Sequence, residues 1–147
     1  MNASATGTAR SSPRQTTGRA TYVDSSAIVK LATSEPESAA LRRYLARRRP
    51  RVASALARTE VARALLPVGP AAVARGEEVL RRFDVVRVND RILRAAGVML
   101  PMRLRSLDAI HLATARELGA DLARVCTYDE RMAAAAVELG MTVVTPT

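Results

Sequence analysis

Short strand-like runs that alternate with helix-like runs constrain this chain more than any other feature. Ala20-Thr-Tyr-Val-Asp24 reads as a strand, and Ser25-Ser-Ala-Ile-Val-Lys-Leu31 follows it with apolar residues at helical spacing. Pro36 opens a helix predicted over 37–49, with Leu41, Tyr44 and Leu45 on one face. Arg51-Val-Ala-Ser54 is the next strand, and Ser54 is placed to cap a helix over 55–66. Pro67 and Gly69-Pro70 break the chain before a helix over 71–82 and a strand over 83–88. Asp90 and Ser106 are the expected caps of helices over 91–100 and 107–118, the second closed by Gly119. A strand over 125–129, a helix over 130–139 closed by Gly140, and a strand over 141–144 complete the series. Such alternation implies an α/β fold in which helices cover a parallel sheet. Ligands of open sheets collect beyond the carboxyl ends of the strands, where strand order reverses.

The length of 147 residues suits one compact domain with a real core. Residues 1–20 are rich in Ser, Thr, Gly, Ala and Arg and poor in large apolar side chains, so a flexible basic arm is expected there. They hold no apolar stretch of the kind a signal peptide needs, and no run approaches the ~20 apolar residues of a membrane span. A cytoplasmic location is the expectation. Cys126 is the sole cysteine, which excludes an intramolecular disulfide and a cysteine-built zinc site. Its apolar neighbours predict a buried strand residue.

The formal net charge of +9 favours a polyanionic partner, and nucleic acid fits best because no basic amphipathic membrane helix stands out. Lys30 is the only lysine, so arginine supplies the charge. With no Trp, one Phe and three Tyr, base stacking is poorly supplied, and arginine–phosphate contacts should dominate. Arg42, Arg43, Arg47, Arg48, Arg49 and Arg51 form a basic stretch. A solvated helix face explains that stretch best, ahead of RNA or dimer contact.

Against this excess of base, four acids stand out. Asp24 and Asp129 each sit where a predicted strand passes into a helix, and either could be a helix cap alone. Glu60 interrupts an Ala-, Leu- and Val-rich helix, where pairing with Arg58 or Arg63 is the plainer explanation. Asp108 is the first acid of an apolar helix, a position that the helix dipole also favours. A parallel sheet could bring all four to one edge. Their mutual repulsion there would be relieved by a divalent cation. Oxygen donors suit Mg²⁺, whereas one His and one Cys offer too little for zinc or copper.

The blocks Tyr22-Val-Asp-Ser-Ser-Ala-Ile-Val-Lys30, Arg58-Thr-Glu-Val61, Leu107-Asp-Ala-Ile-His-Leu-Ala-Thr-Ala115 and Cys126-Thr-Tyr-Asp-Glu-Arg131 resemble the signature segments of PIN-domain ribonucleases. Within that group the chain is most similar to VapC-type toxins, from about Thr21 to the C-terminus. The resemblance implies a three-layer α/β/α sandwich with a mostly parallel central sheet over residues 21–147. It also implies an endoribonuclease dependent on Mg²⁺ or Mn²⁺, a homodimer and a partner antitoxin. By position Asp24, Glu60, Asp108 and Asp129 match the family's acidic quartet, and Thr127 matches the hydroxyl residue beside the fourth acid. Ser25 and Ser26 could orient a carboxylate or a water, or simply cap a helix. His111, three residues beyond Asp108, is expected to pack under the site rather than to act in catalysis.

Two other Asp-centred enzymes fit poorly. A haloacid dehalogenase-type phosphatase would want a second Asp at position 26, where Ser stands, and a receiver domain would want an acidic pair before the first strand-end Asp. A catalytically idle PIN-like module that binds RNA or protein is the remaining alternative, and the intact quartet argues against it.

Overall fold

The structure is a computed structural model that describes residues 18–147. Most of the expected basic arm, residues 1–17, lies outside the described residues. Ala20 already belongs to the first strand, and the Arg19 N–H donates to the Asp121 carbonyl at 3.0 Å.

Five strands form the sheet: β1 (Ala20–Val23), β2 (Arg51–Ser54), β3 (Asp84–Val86), β4 (Leu122–Cys126) and β5 (Val143–Val144). Their order is β3-β2-β1-β4-β5, and every pairing is parallel. Strand order therefore reverses at β1, with β2 on one side and β4 on the other. The crevice between β1 and β4 is the position where such sheets take ligands.

Seven helices cover the sheet: α1 (Ser25–Ala32), α2 (Ser38–Ala46), α3 (Leu56–Leu65), α4 (Pro70–Leu80), α5 (Asp90–Gly97), α6 (Ser106–Glu117) and α7 (Glu130–Glu138). Alternation along the strands divides the core in two. Val23, Ala53 and Cys126 face Ile28, Leu41, Val61, Leu65 and Leu80 of α1 to α4. Tyr22, Val52 and Val125 face Ile92, Leu112, Met132 and Ala135 of α5 to α7. The result is the expected three-layer α/β/α sandwich. Close approach of α3 and α4 depends on Gly76, where an added Cβ would lie 2.7 Å from Leu65 Cδ1.

Several element ends differ from the sequence expectation. Helix α2 stops at Ala46 rather than 49; Pro50 disfavours helical geometry at Arg49 and has no N–H to return to the Ala46 carbonyl. Asn89, not Asp90, caps α5 by accepting the Ile92 N–H at 2.9 Å. Asp90 then sits in the first turn, where the dipole favours it, and α5 ends at Gly97. Ser106 begins α6 but is not its cap; Arg105 holds that position without a side-chain bond. Strand β4 starts three residues early, at Leu122, and is complete before Thr127. Ala55, not Ser54, holds the cap position of α3, although Ser54 Oγ still accepts the Leu56 N–H at 3.1 Å. Among the described residues no helix is long and apolar enough to cross a membrane.

Candidate catalytic site

Asp24 follows β1 directly and is 4% exposed. Its backbone N–H donates to the Cys126 carbonyl, which locks the end of β1 to the end of β4. Oδ1 accepts the Ala27 N–H at 3.1 Å, so the residue does cap α1, and it also accepts the Ser26 hydroxyl at 2.7 Å. Oδ2 accepts the Thr127 hydroxyl at 2.7 Å. Cap and site are thus one role. Burial pushes the Asp24 carboxyl up, against the opposing pull of Thr127, Ser26 and Ala27.

Thr127 links a second acid to the first. Its Oγ1 also accepts the Asp129 N–H at 3.0 Å, while Asp129 Oδ1 accepts the Met132 N–H and caps α7. Ser26 closes the crevice by accepting the Tyr128 N–H at 3.0 Å. Glu60 arrives from α3. Its Oε1 accepts the Ser25 hydroxyl at 2.8 Å and the His111 Nε2–H at 2.5 Å. Partial burial pushes the Glu60 carboxyl up, but the bonds from His111 and Ser25 prevail and hold it below its usual range. No pairing of Glu60 with Arg58 or Arg63 occurs among the described residues.

Asp108, on the first turn of α6, is only partly buried. Desolvation, and then the negative charges of Asp129 and Glu60, push its carboxyl up against the pull of His111 and Arg105. All four candidate acids therefore occupy the C-terminal edge of the sheet, two around Thr127 and the others around His111. Among the described residues, however, no three acidic, His or Cys side chains converge tightly enough to grip one ion directly.

The donor set still fits a hard divalent cation. Such a cation takes oxygen ligands and keeps several waters while one or two carboxylates bind it. Glu60 Oε2 and both Asp108 oxygens accept no hydrogen bond among the described residues. Partial ligation through water would be compatible with these open oxygens, and a cation would offset the negative charge gathered at this edge.

The basic stretch lies elsewhere. Arg51 opens β2, so the arginines around it occupy the N-terminal edge of the sheet. Arg42 donates to the carbonyls of Leu31 and Thr33, and Arg75 to that of Ala32, which together satisfy the C-terminus of α1. Cys126 is buried as expected, and burial, then the charge of Asp24, pushes its thiol up to about 12. Sequence reasoning missed Tyr22, whose hydroxyl bonds His111 Nδ1 at 2.6 Å. The available signal was a tyrosine on a strand bound to be buried, where its hydroxyl needs a partner.

A family model described as PIN domain matches residues 21–138. Ribonuclease VapC46 of Mycobacterium tuberculosis is 61% identical over 127 residues, which span 86% of this chain and 98% of that protein. Ribonuclease VapC35 of the same species is 41% identical over 130 residues, spanning 85% and 96%. Two solved structures share the fold. One is VapC20 of M. tuberculosis, described as a sarcin-ricin loop cleaving toxin, with a TM-score of 0.69, 22% identity, and coverage of 86% of this chain and 99% of that one. The other is a toxin–antitoxin complex from Klebsiella pneumoniae, with a TM-score of 0.66, 20% identity, and coverage of 86% and 98%. The chain belongs to the PIN-domain family, among the VapC ribonucleases.

Proposed function

We propose that this chain is the endoribonuclease toxin of a type II toxin–antitoxin pair, hydrolysing RNA phosphodiester bonds at the carboxyl edge of its sheet with a divalent cation. The observation that carries this reading is the placement of Asp24 at the β1/β4 crevice, with Glu60, Asp108 and Asp129 at the same edge. Its relatives of highest quoted identity bear the name ribonuclease along nearly their whole length.

Asp24, Glu60, Asp108 and Asp129 would hold Mg²⁺, or Mn²⁺ in its place, some of them through water. The bound ion supplies Lewis acidity and offsets charge on the phosphodiester. The chain's own residues do the positioning. Ser26, Thr127 and the Ala27 N–H fix the plane of the Asp24 carboxylate, and Ser25 with His111 fixes that of Glu60. A cleft of about 480 Å³ opens beside Asp108 and carries Arg103, Arg105 and Arg131. Guanidinium groups there suit the phosphates flanking the scissile bond.

The reading extends to partners and place. Val98, Leu100 and Met102 are 82%, 63% and 92% exposed and border an apolar hollow shared by α5 and α6. An apolar face of this kind suits a second copy of the chain. Sedimentation should show a dimer that Val98→Glu splits into monomers; a monomeric parent would refute it. An antitoxin partner is taken from the relatives, and the cytoplasm follows from the RNA substrate.

The test is cleavage of a panel of cellular RNAs by the purified chain in Mg²⁺, in Mn²⁺ and in EDTA. Cleavage that needs the metal and falls at least about 100-fold in Asp24→Asn is expected. A folded parent that binds Mn²⁺ yet cuts no RNA would instead indicate a binding module.

A further inference from the structure

Beneath the acids lies a line of buried hydrogen bonds that the metal-dependent reading does not use. Tyr22 on β1 is 0% exposed and His111 on α6 is 3% exposed. The Tyr22 hydroxyl lies 2.6 Å from His111 Nδ1, and His111 Nε2 lies 2.5 Å from Glu60 Oε1. The Ser25 hydroxyl donates to that same oxygen at 2.8 Å. Two helices, α1 and α6, therefore meet on one carboxylate oxygen carried by α3, and β1 joins them through His111.

The direction of these bonds follows from chemistry. Glu60 as a carboxylate only accepts, so Nε2 must carry the hydrogen. On its other side the ring is anchored through Nδ1 by the Tyr22 hydroxyl. Burial, then the charge of Asp24, pushes the Tyr22 hydroxyl up. Each member fixes the next, and no buried side-chain polar atom among the described residues lacks a partner.

We infer that Tyr22 and His111 are positioning residues for Glu60, selecting which of its oxygens stays open to the site. With Oε1 held by His111 and Ser25, Oε2 is left to the cation as a single-oxygen donor. The inference rests on the metal-dependent reading above and deepens it. The ring touches neither substrate nor the reacting phosphate in this account, so His111 acts through Glu60. A packing role would make any apolar residue of similar size adequate. A positioning role demands a donor where Nε2 sits.

Three variants separate these roles: His111→Leu, His111→Gln and Tyr22→Phe. Gln reaches the Nε2 position with an amide N–H, Leu fills the space without one, and Phe removes only the anchoring hydroxyl. The primary readout is Mn²⁺ affinity by electron paramagnetic resonance without RNA; the second is RNA cleavage. His111→Leu should lose about 10- to 100-fold in Mn²⁺ affinity and in kcat, as supporting residues of metal sites commonly do. His111→Gln should recover most of that loss, and Tyr22→Phe should fall between His111→Gln and the parent. If His111→Leu misfolds, Tyr22→Phe carries the test, since it keeps the ring in the core. Equal loss in the Leu and Gln variants, or parental Mn²⁺ affinity in Tyr22→Phe, would overturn the inference. A parent chain that binds no Mn²⁺ would instead defeat the metal-dependent reading on which it rests.

Discussion

The two edges of the sheet treat charge in opposite ways. At the carboxyl edge stand Asp24, Glu60, Asp108 and Asp129, and desolvation, then the charge of Asp129, pushes the Asp108 carboxyl up. Hydrogen-bond donors there come from hydroxyls, an imidazole and backbone N–H groups. At the amino edge Arg42 and Arg75 are spent on the open carbonyls of α1, and Arg51 Nε donates to the Leu45 carbonyl at 3.0 Å. One edge stores unbalanced charge and the other has put its charge to structural use. The proposed chemistry belongs to the edge whose charge is left over.

That contrast can be broken by substitution. Asp24→Asn should lose at least about 100-fold in cleavage while keeping the fold. The amide oxygen can still accept the Ala27 N–H, and the Thr127 hydroxyl can turn to accept the amide. A smaller loss would place the chemistry away from β1.

Stability sharpens the same contrast. The Asp108 carboxyl is pushed up in the fold, so its protonation favours the folded state. That contribution is full below the unfolded carboxyl range and is lost as pH rises through the raised value. In EDTA, Asp108→Asn should therefore melt a few degrees above the parent at neutral pH. The gap should close as the pH falls through the carboxyl range, as scanning calorimetry would show. A gap that widens with acid would mean that the crowding is absent.

The smallest effect belongs to the amino edge. Arg42→Ala should cost about 0.3–1 kcal/mol, the usual worth of a cation at a helix C-terminus. Cleavage should stay within about twofold of the parent. A large loss of activity would show that this edge handles RNA after all.

The sequence made the layers legible because the strands are short and apolar and each is separated from the next by helical spacing. Asp24 and Asp129 were legible for the same reason, since a strand–helix junction is visible in the chain. Glu60 and Asp108 sit inside or early in helices, and only the resemblance of their blocks set them apart. Which side chain caps α5 was not legible: Asn89 and Asp90 are chemically equivalent candidates, and backbone geometry chose the first. His111 was expected under the site, but its bond to Tyr22 escaped notice because the two are 89 positions apart, and only the placement of α6 beside β1 joins them. Long-range hydrogen bonds leave no periodic trace.

The most direct measurement is the anomalous scattering of Mn²⁺ in crystals of the parent chain. The account predicts a peak at the carboxyl edge between β1 and β4, bordered by Asp24, Glu60, Asp108 and Asp129, and absent from Asp24→Asn. A peak among other residues, or one that survives Asp24→Asn unchanged, would contradict it.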